Sequence, residues 1–245
     1  MYKFTRAVHN WLGLILFVQV CLWFLSGLVM ALLPIDEVRG THLLTTPPAT
    51  WEDARVAPSD ILVAFDNHAT LTFGSQLVAS PVNTALAETS MLSAIPTYDV
   101  KSEGNIVRFN AKTGAKLEAF SEQDIRRLAL AQYQGNGSVS QAKHLMRLPQ
   151  EVQQLTPPLW QVSFNDVDNT RFYIAPDSGA VQRVRTDTWR LFDFMWMLHI
   201  MDYDTRSDFN HPLLITFSGS ALLFTLSGGV LLWQRFRPRK RTKTP

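Results

Sequence analysis

The chain has one cysteine, Cys21, so it can form no disulfide within itself. Any soluble part must hold by packing alone, and about 150 residues is enough for that. It contains no G-x-S-x-G, no Walker loop, no G-x-G-x-x-G and no H-E-x-x-H. Hydrolase, nucleotide-binding and zinc-protease chemistry therefore have no motif to stand on. Charge is missing from two long stretches, residues 11–33 and residues 212–234, each of 23 residues. Each exceeds the roughly 20 apolar residues that a helix needs to cross the hydrocarbon core of a bilayer. The stretch between them is too polar for lipid.

Acids are missing as well, from both outer flanks. Lys3 and Arg6 precede the first run, and Arg235, Arg237, Arg239, Lys240, Arg241 and Lys243 follow the second. Basic residues beside membrane helices stay on the cytoplasmic side, which places both termini inside. The other 15 basic residues and all 21 acids lie between the runs, a net charge of −6. Two crossings put that middle part outside the cytoplasm, in the periplasm of a bacterium. The overall charge of +2 hides this asymmetry and is not a nucleic-acid signal. The basic tail suits the anionic inner leaflet. The first run is longer than a signal peptide's apolar region of about 7–15 residues, and no A-x-A-like site follows it, so it is expected to be an uncleaved anchor.

The middle contains a repeat. Ile95-Pro96-Thr97-Tyr98-Asp99-Val100, a turn at Glu103-Gly104-Asn105 and a second strand lead to Thr113-Gly114. Pro158-Leu159-Trp160-Gln161-Val162-Ser163-Phe164, a polar turn over residues 165–169 and a second strand lead to Ser178-Gly179. Alternation punctuated by Asn, Asp and Gly predicts antiparallel hairpins, with a positive φ at Gly114 and Gly179. A helix is predicted over residues 121–134, with Ser121 as N-cap and Asp124 three residues on as an imperfect capping box. Further helices are expected over 138–148 and, more weakly, over 58–65 and 84–92. A third apolar segment, residues 189–201, is too short to span. Trp189, Phe192, Trp196 and His199 share one helical face, which suits a helix lying at the membrane interface; a core helix of the soluble domain is the alternative.

The chain resembles PepSY-associated transmembrane proteins. The likeness lies in Arg6-Ala7-Val8-His9-Asn10-Trp11-Leu12-Gly13-Leu14, in Ser26-Gly27-Leu28, in the two hairpins, in Trp196-Met197-Leu198-His199 and in Leu226-Ser227-Gly228-Gly229. It implies an α+β membrane protein in which two transmembrane helices flank a periplasmic domain of two PepSY-like helix/β-hairpin units. The expected division is 1–34 for the cytoplasmic stub and first helix, 35–186 for the periplasmic domain (units of about 58–118 and 121–186), 187–210 for the interfacial helix and loop, and 211–245 for the second helix and tail. Larger members with four helices include inner-membrane ferrisiderophore reductases, similar to haem-carrying electron conduits. The implied function is haem b-dependent electron transfer linked to iron uptake or periplasmic reduction, in a bacterial inner membrane. Two alternatives remain: a membrane-anchored module that grips a periplasmic protein or an iron chelate, and an accessory subunit docking through the small-residue faces around Gly27 and Gly228.

The expected cofactor-binding residues are His9, His199 and His211. On a helical wheel Gly13, Leu16, Val20 and Gly27 follow His9, so His9 is expected to face a partner helix. Ser218, Leu222, Thr225 and Gly229 follow His211, a second expected packing face. His9 and His211 lie about 30 Å apart across the bilayer and cannot share one haem. Within one chain only His199 with His211 could form a bis-histidine site; a homodimer could pair two copies of His9. The same histidines also suit a purely structural role as polar groups at the interface. Asp202, Asp204 and Asp208, lying between His199 and His211, make a rival metal site of low specificity. His42, His68 and His144 have no partners at ligand spacing.

Overall fold

The computed structural model describes residues 2–66, 68–81, 90–103 and 105–237. It divides into two units. Residues 1–34 and 190–245 make one, and residues 35–189 the other.

The first unit is built on two long helices, α1 (Tyr2–Leu32) and α6 (Pro212–Phe236). At 1.5 Å per residue they are about 47 and 38 Å long, enough to cross a hydrocarbon core of about 30 Å. Their apolar surface is bare: 17% of the most apolar window of α1 is buried, and none of that of α6. The core helix of a water-soluble protein would be covered. These helices expose Phe17, Val18, Leu25, Leu222 and Leu226, which suits lipid. A third helix, α5 (Asp187–Ile200), ends in this unit.

The second unit holds α2 (Ile35–Arg39), α3 (Pro58–Leu62) and α4 (Glu122–Gln132). It has two antiparallel sheets. One contains β1 (Thr70–Pro81), β2 (Ser90–Ser102) and β3 (Asn105–Asn110); the other contains β4 (Ser138–Leu145), β5 (Leu159–Asn165), β6 (Arg171–Ile174) and β7 (Val181–Arg185). In each sheet the strands lie in chain order.

The two stretches that repeat in sequence also fold alike. Tyr98 pairs with Phe109, and Trp160 with Ile174. Each second strand then closes through one turn geometry. The Asn110 N–H donates to Ala115 O (2.9 Å) and the Gly114 N–H to Asn110 O (2.8 Å). The Ala175 N–H donates to Ala180 O (3.0 Å) and the Gly179 N–H to Ala175 O (3.0 Å). Gly114 has φ 72° and Gly179 φ 70°, the left-handed region in which a side chain is strained.

Packing is strongest in the second sheet. Val162 and Phe164 of β5, Phe172 and Ile174 of β6 and Val184 of β7 meet Ile125 and Ala129 of α4 in one buried cluster. A smaller cluster joins Ile61 of α3 to Tyr98, Val100 and Ala111. The predicted capping box of α4 is present. Ser121 Oγ accepts from the Asp124 N–H (3.2 Å), and Asp124 Oδ2 accepts from the Ser121 N–H (3.0 Å).

The helix expected over 138–148 needs correction. Residues 138–145 form strand β4, not a helix. β4 is an edge strand in which only Ala142 is buried, so it lacks the strict alternation that marks a half-buried strand. Its pairing with β5 decides its conformation. The helix expected over 84–92 falls largely outside the described residues, and Ser90 to Leu92 belong to β2. The helix expected over 58–65 is the shorter α3, opened by Pro58 at its first turn.

Candidate functional site

In lipid, helices gain little by burying apolar side chains against each other. Close contact then falls to small residues and to polar groups that bond across. The membrane unit has two such places, and each is built from one histidine and one Leu-Ser-Gly triplet.

The first is on α1. His9 lies against Ser227-Gly228 of α6, with Nδ1 2.8 Å from Ser227 Oγ and 3.3 Å from Phe224 O. Its ring stacks on Phe224, with centroids 4.3 Å apart and planes 8° apart. Gly13 makes room for that phenylalanine: a Cβ there would lie 2.9 Å from Phe224 Cε2. Gly228 makes room for the imidazole: a Cβ there would lie 3.1 Å from His9 Cε1. The pairing of His9 with 227 and Gly13 with 224 makes α1 and α6 antiparallel. The α1 face through His9, Gly13 and Leu16 therefore meets α6, and Leu16 is fully buried.

The second is at the other end of α1. His199, near the end of α5, lies against Ser26-Gly27, with Nδ1 2.9 Å from Ser26 Oγ. A Cβ on Gly27 would lie 3.6 Å from His199 Cε1. Trp23 Nε1 donates to the His199 carbonyl (2.7 Å), and Gln19 Nε2 donates to the Leu198 carbonyl (3.5 Å). Three polar residues of α1, one turn apart, thus hold the end of α5. From His9 to Ser26 is 17 residues, about 26 Å along the helix axis.

The triplets are Leu25-Ser26-Gly27 and Leu226-Ser227-Gly228. Serine supplies an oxygen and glycine supplies the gap. Neither Nε2 has a hydrogen-bond partner among the described residues, and neither is among the buried unpartnered atoms. Both therefore keep some exposure, on residues that are half-buried.

The face of α6 expected to pack does not meet α1: Ser218, Leu222, Thr225 and Gly229 are exposed within this chain, and among the described residues nothing lies within 4 Å of a Cβ placed on Gly229. Phe224, Ser227 and Gly228 face α1 instead, because His9 needs the serine and the gap beside it. The glycines expected to receive another subunit, Gly27 and Gly228, are filled by histidines of the same chain.

His211 is the N-cap of α6, but its side chain makes no capping bond. Its Nδ1 is buried without a partner, and it shares no hydrogen bond or ring contact with His199 among the described residues. The loop that joins α5 to α6 folds back on α5. Arg206 pairs with Asp193, Trp196 Nε1 donates to Arg206 O (3.2 Å), and Phe209 packs edge-on against Trp196 at 5.4 Å. Asp202 organises the loop's backbone. Its carboxylate accepts from the N–H groups of Asp204 (3.2 Å), Thr205 (3.1 Å), Ser207 (3.0 Å) and Asp208 (3.0 Å), and from Thr205 Oγ1 (2.6 Å). The Thr205 hydroxyl, with the backbone donors, holds this carboxyl far below the usual range. Five donors occupy its lone pairs, so Asp202 is a loop organiser rather than a free metal ligand. Among the described residues no three His, Cys, Asp or Glu side chains are grouped to hold a metal ion.

Elsewhere, His42 Nδ1 bonds Asp36 O (3.3 Å), His68 lies in an exposed turn, and His144 packs on Trp160 at 4.9 Å. The second unit has an open cleft of about 970 Å³, lined by Gln76, Ile106, Arg108, Leu155, Pro158 and Asp177 among others. Arg108 is held there by both carboxylate oxygens of Asp99 and by Asp177 at 3.4 Å.

Sequence reasoning singled out His9 and His199 but missed what holds them: Ser227, Phe224, Ser26 and Trp23. The signal available was the Leu-Ser-Gly triplet occurring twice, once per long helix.

The sequence model of the PepSY-associated TM region matches residues 6–245, essentially the whole chain. No curated protein and no solved structure matches it. Two bare apolar helices, two antiparallel sheets between them and a match of that extent agree: the chain belongs to the PepSY-associated TM region family and is a membrane protein.

Proposed function

We propose that this protein carries electrons across a bacterial inner membrane through haem b, which His9 and His199 would hold. Both termini would lie in the cytoplasm and the two-sheet unit in the periplasm, as the basic flanks of the helices favour. The observation that carries the reading is the pair of docked imidazoles. They sit about 26 Å apart along α1, each with Nδ1 held by a serine and Nε2 partly exposed.

The donor set suits the group. An imidazole that ligates through one nitrogen is normally steadied by a hydrogen bond at the other. Haem iron would supply one-electron chemistry at two depths. The chain's own part is to hold two rings rigidly and to present Nε2 outwards. Since 26 Å is too far for one haem, each histidine would need another residue to hold its haem with it. A second copy of the chain would supply another His9 at the cytoplasmic side. On the other side, His211 or a second His199 would serve. Ferric iron in a chelate is a fitting periplasmic acceptor.

The test is spectral. Protein purified in detergent after expression with ample haem should show a Soret band that shifts on dithionite reduction. His9→Ala and His199→Ala should each remove a different part of the bound haem. A colourless protein, or two variants with full haem content, would overturn the reading.

The cleft in the second unit favours one other reading, a membrane-anchored module for a periplasmic protein or small ligand. Its volume falls in the usual range for ligand sites. In that case the protein would be colourless, and substitutions lining the cleft would abolish function while His9→Ala would not.

A further inference from the structure

We infer that Ser26 and Ser227 are positioning residues that lock His199 and His9 in the Nδ1–H tautomer, so that Nε2 is kept as the free lone pair at each end of α1. The use of that lone pair to bind haem iron rests on the function proposed above; the tautomer itself does not.

The argument is a count of hydrogens. A serine hydroxyl has one proton and two lone pairs. Ser227 Oγ donates to Phe224 O at 2.7 Å, and Ser26 Oγ donates to Trp23 O at 3.2 Å. Both are bonds back to the residue's own helix, the habit of serine where no water competes. With the proton so used, each oxygen turns only lone pairs towards the imidazole. A nitrogen 2.8 or 2.9 Å from such an oxygen must carry a hydrogen. At His9 a second acceptor agrees, because Nδ1 also lies 3.3 Å from Phe224 O. A carbonyl cannot donate, so among the described residues this Nδ1 meets one group that only accepts and one hydroxyl whose proton is used on its own helix. A neutral imidazole has one N–H, which leaves Nε2 bare.

The glycine after each serine completes the device. It lets the Cε1 edge of the ring come down beside the helix, so that Nδ1 reaches the hydroxyl while Nε2 stays partly exposed. Gly228 is the tighter seat, since a Cβ there would stand 3.1 Å from the ring against 3.6 Å at Gly27. The two docks also differ in redundancy. His9 keeps a carbonyl acceptor if its serine is lost, whereas among the described residues the His199 ring bonds only Ser26.

The experiment uses the haem-free full chain in nanodiscs, labelled with ¹⁵N-histidine, at a pH where the imidazoles are neutral. Signals are assigned through single His→Gln variants. The expected wild-type spectrum has a protonated Nδ1 and an unprotonated Nε2 for both His9 and His199. Ser26→Ala should move His199 to a mixture of tautomers and leave His9 unchanged. Ser227→Ala should move His9 less, because Phe224 O remains. Ser26→Thr, which keeps the hydroxyl, should restore the Nδ1–H form.

A wild-type Nε2–H signal at either histidine would overturn the inference, and so would Ser26→Ala with His199 unchanged. If Ser26→Ala fails to fold, the wild-type spectrum and Ser227→Ala decide alone. Because no haem is present, these outcomes are separate from the Soret test. Where the protein does bind haem, Ser26→Ala should raise the midpoint potential of one centre only, since its ligand becomes less basic. An unchanged potential would sever the link between serine and haem while leaving the haem reading intact.

Discussion

The two units of this protein are held together by opposite kinds of residue. In the two-sheet unit, contact follows the apolar side chains. Val162 of β5, Phe172 and Ile174 of β6 and Ile125 of α4 are fully buried, whereas Gln161, Ser163 and Arg171 of those strands are not, and a polar residue that is buried, such as Gln132, is hydrogen-bonded to backbone carbonyls. In the membrane unit most apolar side chains of the long helices are exposed, and the few buried positions include Gln19 and Ser26 beside Leu16. Water drives oily groups together, whereas lipid does not distinguish a leucine in a bundle from one facing an acyl chain. Polar and small residues therefore mark the contacts in lipid, and each cross-bond contributes only about 0.6–2 kcal/mol.

The sharpest way to break this comparison is in the soluble core. Phe172→Ala should destabilise the two-sheet unit by about 3–5 kcal/mol, measured by denaturant unfolding of the detergent-solubilised chain. A loss of under 1 kcal/mol would mean that apolar burial does not hold this unit.

A second, smaller effect is set by pH. Asp202 is held below the ordinary carboxylate range by Thr205 and four backbone amides. A lowered folded value gives stability that is fully present above the unfolded value of about 3.9 and is lost as pH falls through the folded one. The loop over residues 201–211 should thus resist added protease at pH 5 as at pH 7 and loosen only in stronger acid. Asp202→Asn should open it at neutral pH. A loop that loosens between pH 6 and 5 would refute this account.

The smallest effect belongs to the membrane. Trp23→Phe removes the bond to the His199 carbonyl and should cost about 0.6 kcal/mol, visible as a slight loss of crosslinking between cysteines placed on α1 and α5. An effect as large as that of Phe172→Ala would remove the contrast between the units.

Much of the fold was legible because single local signals are strong in water. The capping box at Ser121 and Asp124, the glycine turns at 114 and 179 and the alternation of β5 all follow from nearest neighbours along the chain. β4 was not legible, since a register shift between Val139 and Gln141 breaks its period and leaves Ala142 its one buried residue. The wheel drawn from His211 did not pick the face of α6 that meets α1, because small and hydroxylated residues line more than one face of that helix. Only the position of His9 selects the face bearing Ser227 and Gly228.

Composition and order along the chain determined that two uncharged runs enclose a polar domain, since length and hydropathy alone decide what can lie in lipid. They also marked His9 and His199 as polar groups on apolar segments. Only the tertiary structure decided what each histidine touches. A hydrogen bond between residues 9 and 227, or 26 and 199, depends on which helix faces meet. That choice is made by the whole packed unit, and no local stretch of sequence contains it.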